Sequence, residues 1–563
     1  MSKDLQKLIR RWTLANAIRH EGTANVNAVV GKLIAERPEL KEEIEDLKES
    51  VEETVKKVNK LTLDEQRGEL EGLGAPERPE REEEEGLPEL PDLDKYPTVV
   101  TRFAPNPNGP LHLGHVRTAL LSHEYARKHD GKFILRFEDT NPANAREEMY
   151  DLIRENLKWL GIGWDEEFLQ SDRLKTYYKY AEQLLRDENA YICTCKSSEF
   201  KKLRDKSKPC PCRELDSREQ LERWNGMLEG EFDEGEAVVR IKTDLKLPNP
   251  ALRDWPALRI STASHPKVGK RYRVWPLYNF SVSIDDHEMK ITHVIRGKEH
   301  EVNEERQRQL FNHLGWDYPT AVHHGRLSIS GVILSKTKVM EGIQEGKFED
   351  YDDVRLGTIA AIRRRGFTPQ AIKQSILEIG ITPVDSTLSL DTLATENRRI
   401  IDDKANRYFF VKNPIELTIQ KVPEIEEAKL RLHPNHLERG DRTLPLDRKD
   451  NSLIVKIPSK DFSKLSEGKV VRLKDLLNFK LTSRDPPEAE FESFKVADVL
   501  KIQWVSAEAI KARVLKPDGT QDEGLSEPEV SKLEPGELIQ FERYGFVKLE
   551  KIKPEIEAVF THN

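Results

Sequence analysis

Two histidines one helical turn apart give this chain its first chemical signature. The run Pro110-Leu111-His112-Leu113-Gly114-His115 lies where a short β-rich stretch, TVVTRF, passes through APNPNGP into a helix-like segment, LGHVRTALLSHEYARKHDG. At a strand-to-helix turn, unpaired amide N–H groups and the positive end of the helix dipole favour a phosphate. Gly114 has no Cβ, so an adenine ring could lie against the backbone. His112 and His115 face one side, and both could donate hydrogen bonds to a pentavalent α-phosphate. Standing alone, an HxGH is as easily a pair of surface histidines at a helix start. APNPNGP before it and RFEDTNP after it argue against that.

A second cationic feature is Leu334-Ser335-Lys336-Thr337-Lys338. If pyrophosphate leaves, negative charge grows on the β- and γ-phosphates, and a lysine closing over them would stabilise the transition state. Without the first motif, this would be a solvated lysine-rich loop. The third feature is two CxC pairs, Cys193/Cys195 and Cys210/Cys212, which are all the cysteines in the chain. Four thiolates brought together suit a tetrahedral structural Zn²⁺, with no position left for a catalytic water. The competing reading is four reduced cysteines in a knob that folds without metal.

The elements that must position these residues follow from the texture of the chain. The β-rich TVVTRF, the helix-like segment ending at Gly131 and the β-rich KFILRFED make a βαβ unit, the start of a parallel nucleotide-binding sheet. Residues 191–274, with the cysteines and AVVRIKTD, interrupt that rhythm. It resumes at VWPLYNFSVSIDDH and THVIRG. Residues 346–405 read as mainly helical. From 408 onward, short alternating runs such as SLIVKIP, IKARVL and LIQFERYGFVKLE predict β-barrels. At the other end, Leu5, Leu8, Ile9 and Trp12, then Leu47, Val51 and Val55, recur at helical spacing. The stretch from Gly74 to Pro97 is acidic, rich in Pro and poor in residues to bury, so it reads as a linker.

With 563 residues the chain needs several cores. Its 34% charged residues exceed the usual quarter. The Lys/Glu surplus fits either a heat-adapted protein or long exposed helices. A net charge of −9 speaks against a polyanion as partner, but local patches set the field a nucleic acid meets, and Arg363, Arg364 and Arg365 form one. No apolar run is long enough to span a membrane, and MSKDLQKLIRRW lacks the apolar core of a signal peptide. A cytoplasmic protein without structural disulfides is expected.

RFAPNPNGPLHLGH followed by LRFEDTNP resembles the signature region of glutamyl- and glutaminyl-tRNA synthetases. The resemblance extends through EGEAVVRIKTDLKLPNPALRDWPALRI, YNFSVSIDDHEMKITHVIRGKEHEVNEERQRQ, LSISGVILSKTK and VRLGTIAAIRRRGFTP. The helical N-terminus and the β-rich C-terminus resemble the archaeal glutamyl branch. Bacterial glutamyl enzymes have a helical anticodon domain instead.

The resemblance implies a multidomain α/β class I synthetase: a helical N-terminal extension and acidic linker (1–95), a Rossmann-like catalytic domain in two halves (96–190 and 275–345), and a zinc-bearing insertion that grips the tRNA acceptor end (191–274). A helical stem-contact region (346–405) and a β-barrel anticodon-binding region (406–563) would follow. It implies that Pro105, Asn106, Pro107, Gly109, Pro110, His112, Gly114, His115, Ser335 and Lys336 hold ATP with Mg²⁺, with His112, His115 and Lys336 catalytic. Lys336 matches the second lysine of the family's KMSKS loop; the first is replaced by Ile333 or its neighbour. Glutamate would be held by Arg102, Asn106, Glu138, Tyr278 and Arg296. Arg296 is the decisive residue, since glutaminyl enzymes lack an arginine there. At Val282 the bacterial enzymes place a polar residue, so that contact is not carried over. Arg363, Arg364 and Arg365 would meet tRNA phosphates on the inside of the L. The implied partners are tRNA-Glu, with tRNA-Gln as a second candidate, and the implied state is a monomer. The resemblance also implies that activation needs bound tRNA. Competing functions are a glutaminyl-tRNA synthetase, a non-catalytic tRNA-binding scaffold, and a small-metabolite nucleotidyltransferase, for which the long β-rich C-terminus has no purpose.

Overall fold

Leucines and valines at helical spacing fold the described residues of the N-terminal unit into the helices Lys3–Arg19, Val26–Glu36, Ile44–Val58 and Leu63–Leu73. Leu8, Ile9, Trp12, Leu47, Val51 and Val55 share their core. Gln66 fills the turn, donating to the carbonyls of Gly22, Val58 and Leu61. The computed structural model describes residues 3–19, 22–37, 40, 44–73, 87–334 and 336–563. A second unit begins at Leu87.

Of the expected acidic linker, residues 74–86 lie outside the described residues. The remainder corrects the linker reading. Leu87, Leu90 and Leu93 pack with Val99, Leu121, Tyr125 and Ile295, while Glu89 pairs with Lys128 at 2.7 Å. Leucines three apart within an acidic run supply a narrow apolar face, which a count of acidic residues hides.

The catalytic sheet is parallel. Val100–Phe103, Lys132–Phe137 and Glu166–Leu169 pair side by side, and His293–Gly297 pairs with Thr320–His324. Thr292 joins the two sets: its N–H donates to the Val100 carbonyl (3.0 Å) and its hydroxyl accepts from the Val100 N–H (2.8 Å). Strand order therefore reverses between Val100–Phe103 and His293–Gly297, and a crevice opens at the carboxyl ends of strands at such a switch point. The first crossover helix, Leu113–Lys128, stops short of Gly131. Asp130 makes the left-handed turn at φ 48°. Gly131 is needed for another reason: a Cβ there would sit 2.1 Å from the Val99 carbonyl oxygen.

The insertion is an antiparallel sheet of Ala190–Cys193, Val238–Ile241, Pro256–Ile260 and Val274–Pro276, cored by Trp224, Trp255 and Trp275. Beyond the catalytic sheet come the helices Ile359–Arg364, Pro369–Ile379 and Leu390–Ile401. Two barrels follow. Seven strands between Pro414 and Ile502 form one sheet, closed where Lys456 and Val505 exchange backbone hydrogen bonds of 2.9 Å, while Glu427–Arg431 and Asp441–Pro445 pair apart as a hairpin. The second sheet takes Arg407–Tyr408 at one edge and Phe410–Lys412 at the other, with strands between Ile510 and His562 in between. One stretch of chain, broken at Phe409, thus closes a ring. At the break, Glu527 accepts from the Phe409 N–H (2.9 Å) and from Arg442 Nε (2.9 Å).

Candidate active site

At the switch point lies a cavity of about 560 Å3 lined by residues from both halves of the sheet, among them Arg102, His112, Gly114, His115, Glu138, Tyr278, Arg296 and His300. The turn Ala104–Pro110 meets the cavity at Ala104. Backbone bonds fix that turn: Glu138 N–H donates to the Pro105 carbonyl and Arg146 N–H to that of Pro107, both at 3.0 Å.

His112 and His115 stack with ring centroids 3.6 Å apart. His112 Nδ1 accepts from the Gly114 N–H (3.1 Å), and His115 Nδ1 accepts from the His112 N–H (3.3 Å). A backbone N–H can only donate, so both rings carry their proton on Nε2. Burial and the nearby Lys336 push His112 down to about 4; burial, then His112 and Lys336, hold His115 well below its usual value. The pair therefore presents two neutral N–H donors at the helix start.

Lys336 opens the helix Lys336–Gln344 and reaches back to the same turn. Its Nζ donates to Asn108 Oδ1 (2.9 Å) and, more weakly, to the Asn106 carbonyl (3.4 Å). Burial lowers its pKa to about 8. Gly109 makes room for the stem: a Cβ there would lie 3.2 Å from Lys336 Cδ. Ser335 lies outside the described residues. Asn106, expected on both the nucleotide and the amino-acid side, is found with Lys336 and does not line the cavity; its buried Oδ1 has no partner. The other residues expected at the amino-acid end, Arg102, Glu138, Tyr278 and Arg296, do line the cavity.

That end is built on charge. Arg102 is 4% exposed and grips Asp286 through Nε (3.1 Å) and Nη2 (3.4 Å). Fully buried Arg136 donates to Asp286 (2.7 Å) and to Glu138 (3.3 Å). Burial raises Glu138 to about 7, against the pull of Arg136 and Arg102. Arg296 donates to Gln307, Tyr318 and His323. The Tyr278 hydroxyl lies 3.3 Å from His300 Nδ1. Arg136, Asp286, His300, Gln307 and Tyr318 were not singled out by sequence reasoning. An adjacent acid pair, Asp285-Asp286, on a segment otherwise apolar enough to be buried was the available signal.

The cysteines come together as expected. All four sulfurs lie within 4.8 Å of one another, with Cys193–Cys210 at 3.9 Å and Cys195–Cys212 at 3.8 Å. Tetrahedral Zn–S bonds of about 2.3 Å place sulfurs about 3.8 Å apart, so this donor set is compatible with zinc. The three arginines do not act alike. Arg363 is exposed, Arg364 is paired with Glu550 at 2.7 Å, and Arg365 is 5% exposed with its Nε unpartnered. This corrects the expectation of a three-arginine phosphate contact, because the helix Ile359–Arg364 turns only one of them outward.

Residues 98–403 match tRNA synthetases class I (E and Q), catalytic domain; residues 405–496 and 501–550 match two anticodon-binding domains of the same synthetases. The glutamate–tRNA ligase of Pyrococcus furiosus is 49% identical over 99% of this chain and 100% of its own length; that of Pyrococcus abyssi is 48% identical over the same shares. A solved glutamate tRNA ligase from Elizabethkingia meningosepticum, in complex with its amino acid, shows 23% identity over 55% of this chain and 70% of that one, at a TM-score of 0.41. With its catalytic and anticodon-binding regions both matched, the chain belongs to the class I tRNA synthetases of the E and Q type.

Proposed function

We propose that this protein joins glutamate to tRNA-Glu at the expense of ATP. The observation that carries the choice of glutamate is the charge of the amino-acid end: five guanidiniums, Arg102, Arg136, Arg173, Arg296 and Arg308, surround four carboxylates, Glu138, Asp285, Asp286 and Glu304. The pocket has one positive charge in excess. Glutamate, with two carboxylates and one ammonium, carries the matching negative charge; glutamine carries none. A neutral amide would leave a buried cation unpaired, which opposes its binding strongly.

Arg102 and Arg296 meet the substrate carboxylates, and Glu138 the ammonium. Tyr278 shapes the wall between them. An α-carboxylate oxygen forms a bond to the α-phosphorus of ATP, the bond to the β-phosphate oxygen breaks, and pyrophosphate leaves. His112 and His115 donate from Nε2–H to the α-phosphate oxygens as their charge grows. Lys336 moves from Asn108 onto the departing phosphates, and Mg²⁺, when bound with ATP, would supply further neutralisation. The 2′-oxygen of the terminal tRNA adenosine then attacks the activated carbonyl, and AMP departs. No protein nucleophile is required, because positioning and charge stabilisation carry both steps. The two CxC pairs hold a structural zinc in the insertion, where the acceptor end of tRNA is gripped, and Arg363 meets a tRNA phosphate. The protein acts on tRNA in the cytoplasm.

Aminoacylation of tRNA-Glu and tRNA-Gln, each with glutamate and with glutamine, tests the reading. Glutamate is expected on tRNA-Glu, and transfer to tRNA-Gln decides whether that tRNA is a second substrate. Preferential transfer of glutamine refutes the proposal.

A further inference from the structure

The two arginines that face the amino-acid end are treated oppositely by their surroundings. Arg102 is neutralised by a carboxylate that takes two of its donors. Arg296, also 4% exposed, is held almost wholly by neutral groups. Its Nη1 donates to Gln307 Oε1 (2.9 Å), its Nη2 to the Tyr318 hydroxyl (3.0 Å) and its Nε to His323 Nε2 (3.3 Å). The nearest carboxylate, Glu304, makes only a long contact: its Oε2 lies 3.7 Å from Arg296 Nη2 and 3.5 Å from His323 Nε2, and Arg308 takes its other oxygen at 2.8 Å.

Gln307 is the centre of this arrangement. It is 1% exposed on the helix Glu301–Leu314. Its Oε1 accepts from both Arg296 and Tyr318 (2.8 Å), and its amide nitrogen donates to Asn279 Oδ1 (3.2 Å). Asn279 passes the chain to Asn303, and Asn303 to His300 at the cavity wall. A guanidinium only donates, so the amide can sit one way round alone. A glutamate side chain would fill the same volume and accept the same bonds. It would also cancel the charge, because a buried guanidinium–carboxylate contact is a full ion pair.

We infer that Gln307 is a specificity-determining positioning residue: a neutral acceptor that fixes Arg296 in place while leaving its charge for the substrate's side-chain carboxylate. The inference rests on the reading above that Arg296 meets that carboxylate. Selectivity for an acid over its amide then depends on withholding a counter-charge from the arginine as much as on supplying the arginine. The stand-off of Glu304 serves the same end, since Arg308 occupies it.

The test compares tRNA-dependent ATP–pyrophosphate exchange with glutamate and with glutamine in the full-length protein and in Gln307→Glu, Gln307→Met, Arg308→Gln and Arg296→Ala. Gln307→Glu is expected to raise the KM for glutamate on the order of 10²-fold and to cut the glutamate-to-glutamine ratio of kcat/KM at least tenfold. The KM for ATP stays within about twofold, since no phosphate reaches that wall. Gln307→Met loses the acceptor but keeps the charge, so its KM for glutamate rises while the ratio stays within about threefold of the parent. Arg308→Gln, a half-exposed change that leaves the core intact, frees Glu304 to pair with Arg296 and lowers the ratio severalfold. It decides the question if Gln307→Glu does not fold. The inference is overturned if Gln307→Glu keeps the parent's ratio, if Gln307→Met loses it as fully, or if Arg308→Gln leaves it unmoved. Those outcomes count against Gln307 alone when Arg296→Ala has lost discrimination. A parent-like ratio in Arg296→Ala overturns the side-chain assignment itself.

Discussion

Replacing Glu138 with glutamine should make the catalytic unit more stable and the enzyme worse. Glu138 is 12% exposed and receives one long hydrogen bond, 3.3 Å, from Arg136. Burial lifts its pKa from 4.5 to about 7 despite Arg136 and Arg102. A folded-state value above the unfolded one means that ionisation opposes folding. The stability associated with the neutral carboxyl is fully present below about pH 4.5 and is lost as pH rises through about 7. A rise of that size corresponds to about 3 kcal/mol of stability withheld above pH 7. Glutamine mimics the neutral acid and still accepts from Arg136, so the variant should recover most of that above pH 8 and little at pH 4.5. Denaturant unfolding of parent and variant at both pH values measures the difference. Exchange assays should show kcat/KM for glutamate reduced on the order of 10²-fold or more, because the substrate ammonium loses its counter-charge. In the parent, kcat/KM for glutamate should fall as pH drops below about 7. A variant less stable than the parent at pH 8.5, or a gap that does not close at pH 4.5, refutes the reasoning.

Arg296→Ala should lower kcat/KM for glutamate on the order of 10²-fold while leaving ATP and tRNA binding nearly unchanged, as initial-rate kinetics with each substrate will show; a loss confined to a few-fold passes the side-chain role to Arg102. Lys336 is charged below about 8 and neutral above it, so kcat/KM for ATP should decline above pH 8, and Lys336→Arg should move that limb to higher pH; an unmoved limb assigns it to another group. Elemental analysis should find one zinc per chain, and stripping it should melt the insertion around Tyr191 and Phe200, seen as lost hydrogen-exchange protection. Intact activity and protection in metal-free protein remove the zinc assignment. Arg363→Ala should weaken tRNA binding and reduce its salt slope by about one, while an unchanged slope excludes the contact.

What could be seen in the chain before its fold was chemistry concentrated in short runs. His112, Gly114 and His115 sit together because one turn of helix puts them together, and the cysteines because two CxC pairs meet across one small knob. The β-barrels were visible in alternation, since each strand shows its own period. Contacts that depend on distant segments were hidden. Nothing local tells that Asp286 is shared by Arg102 and Arg136, or that Gln307 on a helix meets Arg296 on a strand. The arginine triplet misled for the same reason: side chains of adjacent residues leave a helix in different directions, and only packing decides which reaches solvent. The leucines at 87, 90 and 93 were masked by their acidic neighbours, although their spacing was in view.

The stretch Arg407–Lys412, whose two halves edge the second barrel, also sets an order of assembly. That stretch leaves the ribosome before any of the first barrel, yet its partners lie at Gln521–Ser526 and Leu538–Phe541. The first barrel must therefore be made, and can fold, while the edges flanking it wait unpaired. Closing so long a loop is entropically slow, and exposed strand edges invite mispairing in the interval. His562, which meets Asn397 of the helix Leu390–Ile401 at 3.0 Å, arrives after every other strand of both barrels. The link between the helical region and the barrels is thus completed late in synthesis, and a nascent chain halted before Ile556 carries a whole catalytic sheet with its tRNA-reading end still open.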